Sequence, residues 1–449
     1  MTQVVEPVAP ARFDRTLVTP MILGSILNPI NSSMLAVALI PIGKAFGAPP
    51  AQTAWLVTGL YLATAVGQPV IGRLVDSYGP RLLYLTGTAL VGVAGLLGTL
   101  APSLWLLVLS RVLLGFGTSA AYPASMFLLR HEAERTGLAS PRGILAGLSI
   151  SAQVIVVVGP TLGGVLIALG GWHLIFAINI PLSIACLVLG ARHLPRLADL
   201  PKQYVDVPGM ALFAATLTAF MLFLMQPGLR QSYLLLLAVI GAAAFARREL
   251  RGAEPFIDLH VLRGNTPLLL TYVRQLLAYT TSYSFLYGYT QWLEDGRGLS
   301  ASVAGLLLLP MSVAAITVTA LTGRRPGIRN KLLTGASFQV VSCALLVLLG
   351  TASPVWALAA VGVVVGVPQG LNGLANQNAL YEQADPARMG SSAGLLRTFM
   401  YLGALLAAAA NAAVYRGGAD TGGPHHLGML LLVVSALLLL VTFFDRKVK

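Results

Sequence analysis

Charge is scarce in this sequence. Only 10% of the 449 residues are charged, whereas soluble domains have about 25%. Hydrophobic residues make up 56% of the chain. Apolar runs of roughly 20 residues, long enough to cross a bilayer core, recur from end to end. The scarcity of charge excludes a soluble globular protein, and the runs predict an all-α protein that crosses the lipid bilayer many times.

Residues that build catalytic or metal centres are also scarce. The two cysteines lie in apolar runs, where we expect free buried thiols rather than a disulfide. The six histidines are scattered, and the pair His425–His426 has no further ligand nearby in the sequence. We also find no pore signature of a channel. We therefore expect neither an enzyme nor a metal or cofactor site.

Counting the apolar runs predicts 14 membrane spans, arranged as six, two and six. The predicted spans are Leu17–Ile40, Thr53–Val75, Leu82–Leu100, Leu104–Leu129, Gly143–Ala168, His173–Ala191, Val207–Met225, Ser232–Ala246, Pro267–Gln291, Ser302–Thr322, Leu332–Gly350, Pro354–Tyr381, Ser391–Val414 and Leu427–Phe444.

The positive charges predict how these spans are oriented. An even number of spans places both termini on one side. Of the 29 lysines and arginines, only Lys44, Arg230, Arg297 and Arg416 fall in the loops of the opposite side. Positively charged loops stay in the cytoplasm, so we expect both termini there. Because the basic residues are spread over many short segments, they indicate lipid headgroups as partners rather than nucleic acid.

A repeated loop marks two halves. GRLVDSYGPRLL, residues 72–83, follows the second span, and GRRPGIRNKLL, residues 323–333, follows the second span of the last six. The second copy is shorter and has no acid. Matching loops in matching places indicate a duplicated six-span unit, a common plan among secondary transporters. We predict a six-helix bundle in 1–200, two additional spans with a cytoplasmic linker in 201–264, and a second six-helix bundle in 265–449.

The first of these loops resembles the signature loop of the major facilitator superfamily. Gly72, Asp76, Gly79 and Arg81 fall on its signature positions. The resemblance implies the major facilitator fold and a role for this loop in holding the cytoplasmic side closed. Asp76 is suited either to cap a helix start or to pair with Arg81.

Two further stretches strengthen the resemblance. SRVLLGFG in the fourth span contains Arg111, whose family counterpart is tied to proton coupling; an arginine inside a span usually faces a cavity or a partner. VVVGPTLGG in the fifth span resembles the antiporter signature of the superfamily. Its proline bends the helix and its glycines allow close packing, which implies a gating role. The candidate gating residues of this stretch are Gly159, Pro160, Gly163 and Gly164.

WHLIFAINIP, residues 172–181, and QWLEDGRGLSASVAGLLLLP, residues 291–310, resemble segments of the 14-span drug:proton antiporters of the EmrB and QacA type. This resemblance implies a monomeric transporter of the bacterial cytoplasmic membrane. Its implied activity is the export of lipophilic drugs or similar small organic molecules in exchange for protons, by alternating access.

A proton carrier is missing from the expected place. The antiporter family usually has an aspartate in the first span, where this chain has Asn31, and none of the 16 acids lies in the middle of a span. Glu294 is the best replacement, because it continues a stripe of tyrosines along the seventh span of the duplicated plan. Arg111 is expected to bias its ionisation, and Asp76 is a further candidate for proton coupling. A tyrosine stripe that only packs is the alternative.

An anionic substrate is the alternative cargo. Arg111, Arg274 and Arg397 lie inside spans without acidic partners embedded beside them, a pattern that suits an exporter or exchanger of an organic anion. Arg274 and Arg397 are also close enough to a span end to reach the interface. Polar side chains on shared helical faces predict an amphipathic cavity, although each could instead join two helices. The candidate cavity residues are Asn28, Asn31, Tyr122, Gln153, Tyr279, Tyr283, Tyr287, Gln291, Gln369, Asn372, Asn376 and Arg397.

Overall fold

The protein is helical throughout the residues that its structure, a computed structural model, describes: 13–137, 141–197, 205–225, 228–252, 254–415, 422–445 and Lys447. In this part the α-helices are α1 (Val18–Phe46), α2 (Pro50–Tyr78), α3 (Pro80–Thr99), α4 (Leu104–Thr118), α5 (Ala121–Thr136), α6 (Arg142–Gly170), α7 (His173–Ala177), α8 (Asn179–His193), α9 (Val207–Met225), α10 (Ser232–Glu249), α11 (Leu259–Gly264), α12 (Thr266–Ser284), α13 (Ala301–Thr322), α14 (Ile328–Leu348), α15 (Val355–Gln383), α16 (Met389–Val414) and α17 (Gly422–Phe444).

Local sequence signals fix several of these boundaries. Pro80 opens α3, where its missing N–H costs nothing. The side chains of Ser103, Asn265 and Ser300 cap α4, α12 and α13 by accepting a hydrogen bond from a backbone N–H of the first turn. Gly47 ends α1 with a positive φ of 59°.

Thirteen helices of the described part are long and apolar enough to cross a membrane. They correspond to thirteen of the predicted spans; α4 and α5 form one of them together, as do α7 and α8. The exception is the predicted span Pro267–Gln291, which is helical in α12 and its continuation. It is not among the thirteen because tyrosine, threonine, serine and Arg274 make it more polar. The 14-span arrangement therefore stays a prediction.

The start of α1 and the end of α17 lie at the same end of the helix bundle, which we call the terminal end. The backbone N–H of Asp14 donates to Glu132 at the end of α5 over 2.7 Å. Arg274 in α12 binds Asp445, just after α17, over 2.6 Å. Leu17 and Leu268 belong to one buried cluster, which joins both halves at this end. We call the opposite end the far end; that the terminal end faces the cytoplasm stays a prediction from charge.

Small residues bring the two halves together near the terminal end. A Cβ added to Gly72 in α2 would overlap the backbone of Gly390 in α16. A Cβ added to Gly323 after α13 would overlap Ala146 in α6. The first glycine of each repeated loop therefore contacts the other half.

Helices α9 and α10 pack against each other, and α9 lies beside the seam between α2 and α16. The rings of Phe213 and Phe245 are 5.7 Å apart between the two helices. At their terminal ends, Asp206 binds Arg248 over 2.6 Å, and the Arg248 guanidinium lowers the pKa of Asp206. The predicted domain boundary at residues 200 and 201 lies outside the described residues. The boundary at 264 and 265 falls between α11 and Asn265, and the division into domains stays a prediction.

Candidate functional site

A cavity of about 1040 Å³ lies between the two halves. It is lined by α1, α2, α4, α5 and α6 from the first half and by α12, α13, α15 and α16 from the second. This volume is large enough for a drug-sized organic molecule. Polar amides, hydroxyls and tyrosine rings are mixed with aliphatic side chains in its wall, so the cavity is amphipathic.

The predicted tyrosine stripe forms one wall of the cavity. The rings of Tyr279 and Tyr283 are 5.9 Å apart, and those of Tyr283 and Tyr287 are 5.8 Å apart. All three line the cavity, as do Gln291 and Glu294 farther along the chain. The stripe therefore leads from the middle of the bundle to its far end.

The helix that carries this stripe changes its winding beyond α12. Phe285–Tyr289 and Trp292–Gly296 are π-helical. Such stretches are often found at functional sites, because the wider turn moves side chains around the helix axis. Tyr272, on the same predicted stripe, lies outside the cavity and stacks on Phe399 with ring centroids 5.3 Å apart.

Amides of the first half reach both the cavity and the other half. Asn28 donates to Thr64 over 3.2 Å and to Thr118 over 3.0 Å, and its oxygen accepts a hydrogen bond from Tyr401 over 3.1 Å. Gln153 donates to Thr319 over 3.1 Å. Both amides line the cavity.

Gln369 and Asn372 of α15 also line the cavity. Asn372 donates to Gln339 over 2.8 Å, whereas the oxygen of Gln369 has no hydrogen-bond partner within the described chain. Two other candidates, Asn31 and Asn376, are fully buried and lie outside the cavity lining.

These two asparagines join helices. Asn31 exchanges reciprocal hydrogen bonds with Asn179 over 2.6 and 2.9 Å. Asn376 donates to Gln275 over 3.1 Å. Asn31 stands at the position where the family usually has an acid. Its side chain is used here to hydrogen-bond α1 to α8.

Arg111 is fully buried behind the cavity wall and not among its lining residues. Its Nε donates to the carbonyl of Leu56 over 3.1 Å, and its Nη2 donates to the carbonyl of Asn31 over 3.3 Å. Its Nη1 has no partner among the described residues. The structure does not bring Arg111 and Glu294 together in the cavity wall.

Arg274 corrects the expectation that the embedded arginines lack embedded acids. It is fully buried and pairs with Asp445, which is 2% exposed at the side chain. Its Nη2 also donates to Thr271 over 2.6 Å. The expectation was wrong because Asp445 follows the last span in sequence, and the packing of α17 against α12 brings it inside the protein.

Arg397 is the candidate arginine that lines the cavity. Its guanidinium lies 4.0 Å from the centroid of the Tyr122 ring, and Nη1 donates to Sδ of Met400 over 3.5 Å. Tyr61 and Tyr401, which are not among the candidates predicted from the sequence, also line the cavity and have ring centroids 5.6 Å apart. The spacing of four residues from Arg397 to Tyr401 was the available signal, because it places both on one helical face.

The signature loop contacts the other half at the terminal end. Asp76 is 2% exposed and accepts hydrogen bonds from the backbone N–H of Gly390 over 2.7 Å and of Ser391 over 2.8 Å. It therefore caps the start of α16 in the other half and satisfies its free N–H groups.

The other signature residues shape the loop itself. Gly79 has a φ of 91°, a backbone conformation that glycine adopts more readily than other residues. Of the two roles considered for Asp76, the structure shows the helix cap and not the pair with Arg81, whose guanidinium donates instead to the carbonyls of Ala191 and Leu194 at the end of α8.

The antiporter-like stretch packs α6 against α1. Added Cβ atoms at Gly159 and Gly163 would collide with Ser33 and with Met34, respectively, whereas Gly164 faces open space. Pro160 lines the cavity. The close approach of α6 and α1 is therefore made by two of the three glycines.

More bonds between the halves lie at the terminal end. Ser149 donates to Gln377 over 2.9 Å, and Tyr381 donates to the carbonyl of Leu129 over 3.2 Å. The cavity, by contrast, continues to Glu294 and to Asp295, which is exposed. The arrangement is thus closed at the terminal end and leads toward the far end.

Comparison with known proteins gives a consistent result. A family model described as Major Facilitator Superfamily matches residues 21–408. An uncharacterised MFS-type transporter of Bacillus subtilis, YwoD, is 33% identical over 86% of this chain and 87% of its own length. The multidrug resistance protein Stp of Mycobacterium tuberculosis is 28% identical over 72% of this chain and 62% of its own length.

A solved structure has the same fold. The crystal structure of the human organic anion transporter MFSD10 (TETRAN) superimposes with a TM-score of 0.68 and covers 95% of this chain and 99% of its own. The two sequences are 16% identical, so the likeness concerns the fold alone.

Proposed function

Since the chain belongs to the major facilitator superfamily, we propose that it exports small amphipathic organic molecules across the bacterial cytoplasmic membrane in exchange for protons. Members of this superfamily are secondary transporters and not enzymes, so the protein is a multi-pass membrane transporter with bacterial relatives. The direction of transport, the coupling ion and the cargo are the proposed part.

The central cavity is the observation on which this proposal rests. Its volume of about 1040 Å³ suits a drug-sized molecule, and residues of both halves line it. A site at the interface of two repeats is what alternating access requires, because rocking of the halves then exposes the same site to either side. The wall mixes tyrosine rings with amides, which suits amphipathic cargo.

Export as the direction is supported by two features. The GPTLGG stretch, which resembles the antiporter signature, packs α6 against α1 beside the cavity. A multidrug resistance protein is also among the relatives. We extend this to the 14-span drug:proton antiporter plan, in which α12 and its π-helical continuation form a span despite their polar composition.

We assign proton coupling to Glu294. It is partly exposed and lines the cavity, beyond the tyrosines toward the far end. Enclosing a carboxylate away from water favours its neutral form, and opening it to water favours release of the proton. Alternation of the halves would expose Glu294 to these two environments in turn. Arg111 donates hydrogen bonds to backbone carbonyls of α1 and α2. It would affect proton coupling indirectly, by fixing the positions of these two helices.

A transport assay with reconstituted protein tests this assignment. Proteoliposomes with an imposed pH gradient would be supplied with a panel of cationic, neutral and anionic fluorescent dyes. We expect gradient-driven accumulation of at least one dye by the unaltered protein and its loss in Glu294→Gln, with dye binding retained. Asp295→Asn is the matched control, since this neighbouring acid is exposed and should tolerate the change.

Two results would contradict the proposal. Uphill transport by Glu294→Gln at the unaltered rate would remove Glu294 as the proton carrier and direct attention to Asp76. Accumulation that does not respond to the pH gradient would remove proton exchange altogether.

A second candidate cargo, an organic anion, is favoured by Arg397. It is the embedded arginine that reaches the cavity, whereas Arg274 is neutralised by Asp445 and Arg111 lies behind the wall.

A further inference from the structure

We propose that the cavity binds aromatic molecules that carry one negative charge, with the anionic group on Arg397 and the aromatic body between tyrosine rings. This assignment of a substrate class rests on the proposed function, in which the cavity is the substrate site. Four sets of contacts carry it: the surroundings of Arg397, the tyrosine rings, the contrast with Arg274, and the position of the acids.

Arg397 is not paired with an acid in the part of the chain that the structure describes. None of the ion pairs found within the described chain includes it. One of its N–H groups donates to a thioether, the Sδ of Met400, which is a weak acceptor. The ionisable groups that act on it electrostatically are tyrosines: Tyr122, Tyr279, Tyr401 and Tyr283. A planar guanidinium fits a carboxylate in bidentate geometry.

Tyrosine rings surround this cation. The Tyr122 ring lies beneath it at 4.0 Å, which holds the guanidinium in place by a cation–π contact. Tyr279 and Tyr283 continue from it toward the far end, and Tyr61 and Tyr401 form a second tilted pair. Aromatic rings prefer offset or tilted neighbours at such distances, so a flat aromatic ligand gains more here than an aliphatic one of equal size.

Arg274 shows how this protein treats an arginine that serves structure alone. That side chain is fully buried, pairs with Asp445 over 2.6 Å and donates to Thr271. An embedded cation without an acid is costly, and it is retained when it has a partner to bind. Arg111 also pairs with no acid among the described residues, but it donates to two backbone carbonyls behind the cavity wall. Arg397 lines the cavity, where a ligand can reach it, so we assign the anion to the ligand.

The two acids of the cavity wall lie elsewhere. Glu294 and Asp295 follow the tyrosine stripe at the far end of the helix. Neither of them forms an ion pair with Arg397 among the described residues, so the cavity keeps its cation separate from its acids. The positive charge of Arg397 therefore stays available to an anionic ligand.

Binding measurements with four probes of similar size test the proposal. The probes are 2-naphthoate (aromatic anion), 2-naphthamide (aromatic, neutral), 2-naphthylmethylammonium (aromatic cation) and octanoate (aliphatic anion). Binding to the purified full-length protein would be measured by calorimetry. We expect 2-naphthoate to bind most tightly of the four.

The variants separate charge recognition from a structural role. Arg397→Gln should weaken 2-naphthoate binding roughly tenfold to a hundredfold, as expected for loss of a charge-assisted hydrogen bond, and leave 2-naphthamide nearly unchanged. Arg397→Lys should restore part of the affinity because it keeps the charge. Arg297→Gln is the matched control, since Arg297 bonds the carbonyls of Gly350 and Ser353 and does not line the cavity.

Each result decides for or against the proposal. Equal loss of 2-naphthoate and 2-naphthamide binding in Arg397→Gln overturns it, and so does tighter binding of the neutral or cationic probe by the unaltered protein. Absence of 2-naphthoate binding at millimolar concentration overturns it as well. Failure of the proposed function is distinct: 2-naphthoate would then bind through Arg397, yet proteoliposomes would show no movement driven by the pH gradient.

Discussion

Both copies of the repeated loop pack a glycine against the opposite half, but only the first copy adds hydrogen bonds from a carboxylate to that contact. In the first copy, Gly72 packs on Gly390, and Asp76 accepts two backbone hydrogen bonds at the start of α16. In the second copy, Gly323 packs on Ala146 at the start of α6, but the loop contains no acid. Duplication has therefore kept the close packing of helices in both places and the charged cap in one.

This difference indicates how closure of the terminal end is divided between the two seams. The seam of α2 with α16 combines steric fit with a buried carboxylate, so most of the closing free energy should reside there. The seam of α6 with α13 has the steric fit and, nearby, the exposed ion pair of Arg142 with Glu382. Four substitutions test this ranking, and each concerns the equilibrium between the closed and open terminal end.

The largest effect is expected from Gly72→Val. The new side chain would overlap the backbone of Gly390, which cannot move without displacing α16. Overpacking of this kind costs about 3 kcal/mol, enough to keep the terminal end open and abolish most transport. Spin labels at the exposed positions Tyr78 and Ala387, one in each half, would move apart in a pulsed electron paramagnetic resonance measurement.

Gly143→Val is the control for this substitution. Gly143 lies in α6 at the same end, but the nearest atom to an added Cβ is 3.7 Å away, on Arg324. We expect the label distance and transport rate to stay as in the unaltered protein. If Gly72→Val also leaves both unchanged, the seam of α2 with α16 does not determine closure.

Asp76→Asn should have the next largest effect. The amide keeps the shape of the side chain but loses the negative charge that holds two N–H groups of α16. A charge-assisted hydrogen bond contributes about 2 kcal/mol, so the closed population should fall roughly thirtyfold relative to the open one. The same label pair would report the shift. Asp385→Asn is the control, because this exposed acid caps only the short turn before α16; an equal shift in both variants would argue against a specific role for Asp76.

Gly323→Ala should have a smaller effect than either change in the first seam. A single methyl group would overlap the Ala146 side chain in the other half and lie 2.7 Å from the carbonyl oxygen of Thr319 in its own half, so only the first collision acts across the seam, and a small displacement of α6 relieves it. We expect the closed state to lose about 1 kcal/mol, so the ratio of closed to open populations should fall roughly fivefold. A shift larger than that of Asp76→Asn would reverse the ranking of the two seams.

How far the sequence predicts this molecule depends on whether a contact is local. Composition and apolar runs predicted the helices, and GRLVDSYGPR predicted a tight turn with a capping acid; the role in closure that its family resemblance implies stays a prediction. The partner of Asp76 could not be predicted, because Gly390 lies 314 residues away and only the packing of the halves brings them together. The same holds for Asn31 with Asn179 and for Arg274 with Asp445.

The cavity shows the same division. Helical periodicity placed Tyr279, Tyr283 and Tyr287 on one face, and they line the cavity together. Periodicity also placed Asn376 on the face of Gln369 and Asn372. It cannot predict which neighbouring helix covers a residue, and Asn376 is hydrogen-bonded to Gln275 of α12 instead of lining the cavity. Tyr61 lies in an apolar run that gave no polar pattern, so its position in the wall became visible only through folding.

The smallest effect is expected from Glu382→Gln, which removes the ion pair that joins Arg142 in α6 to Glu382 in α15, beside the second seam. The two charges are 3.3 Å apart, and the side chains are 32% and 38% exposed, so water and salt screen their attraction. Exposed pairs of this kind contribute about 0.5 kcal/mol. The ratio of closed to open populations, read from the label distances, should therefore change roughly twofold. Because the pair is screened, the shift should be measurable at low salt and vanish at high salt, whereas the shifts of Gly72→Val and Gly323→Ala are steric and should persist. A salt-resistant shift in Glu382→Gln would mean that this side chain acts through packing, and the second seam would then hold more of the closing free energy than its missing acid implies.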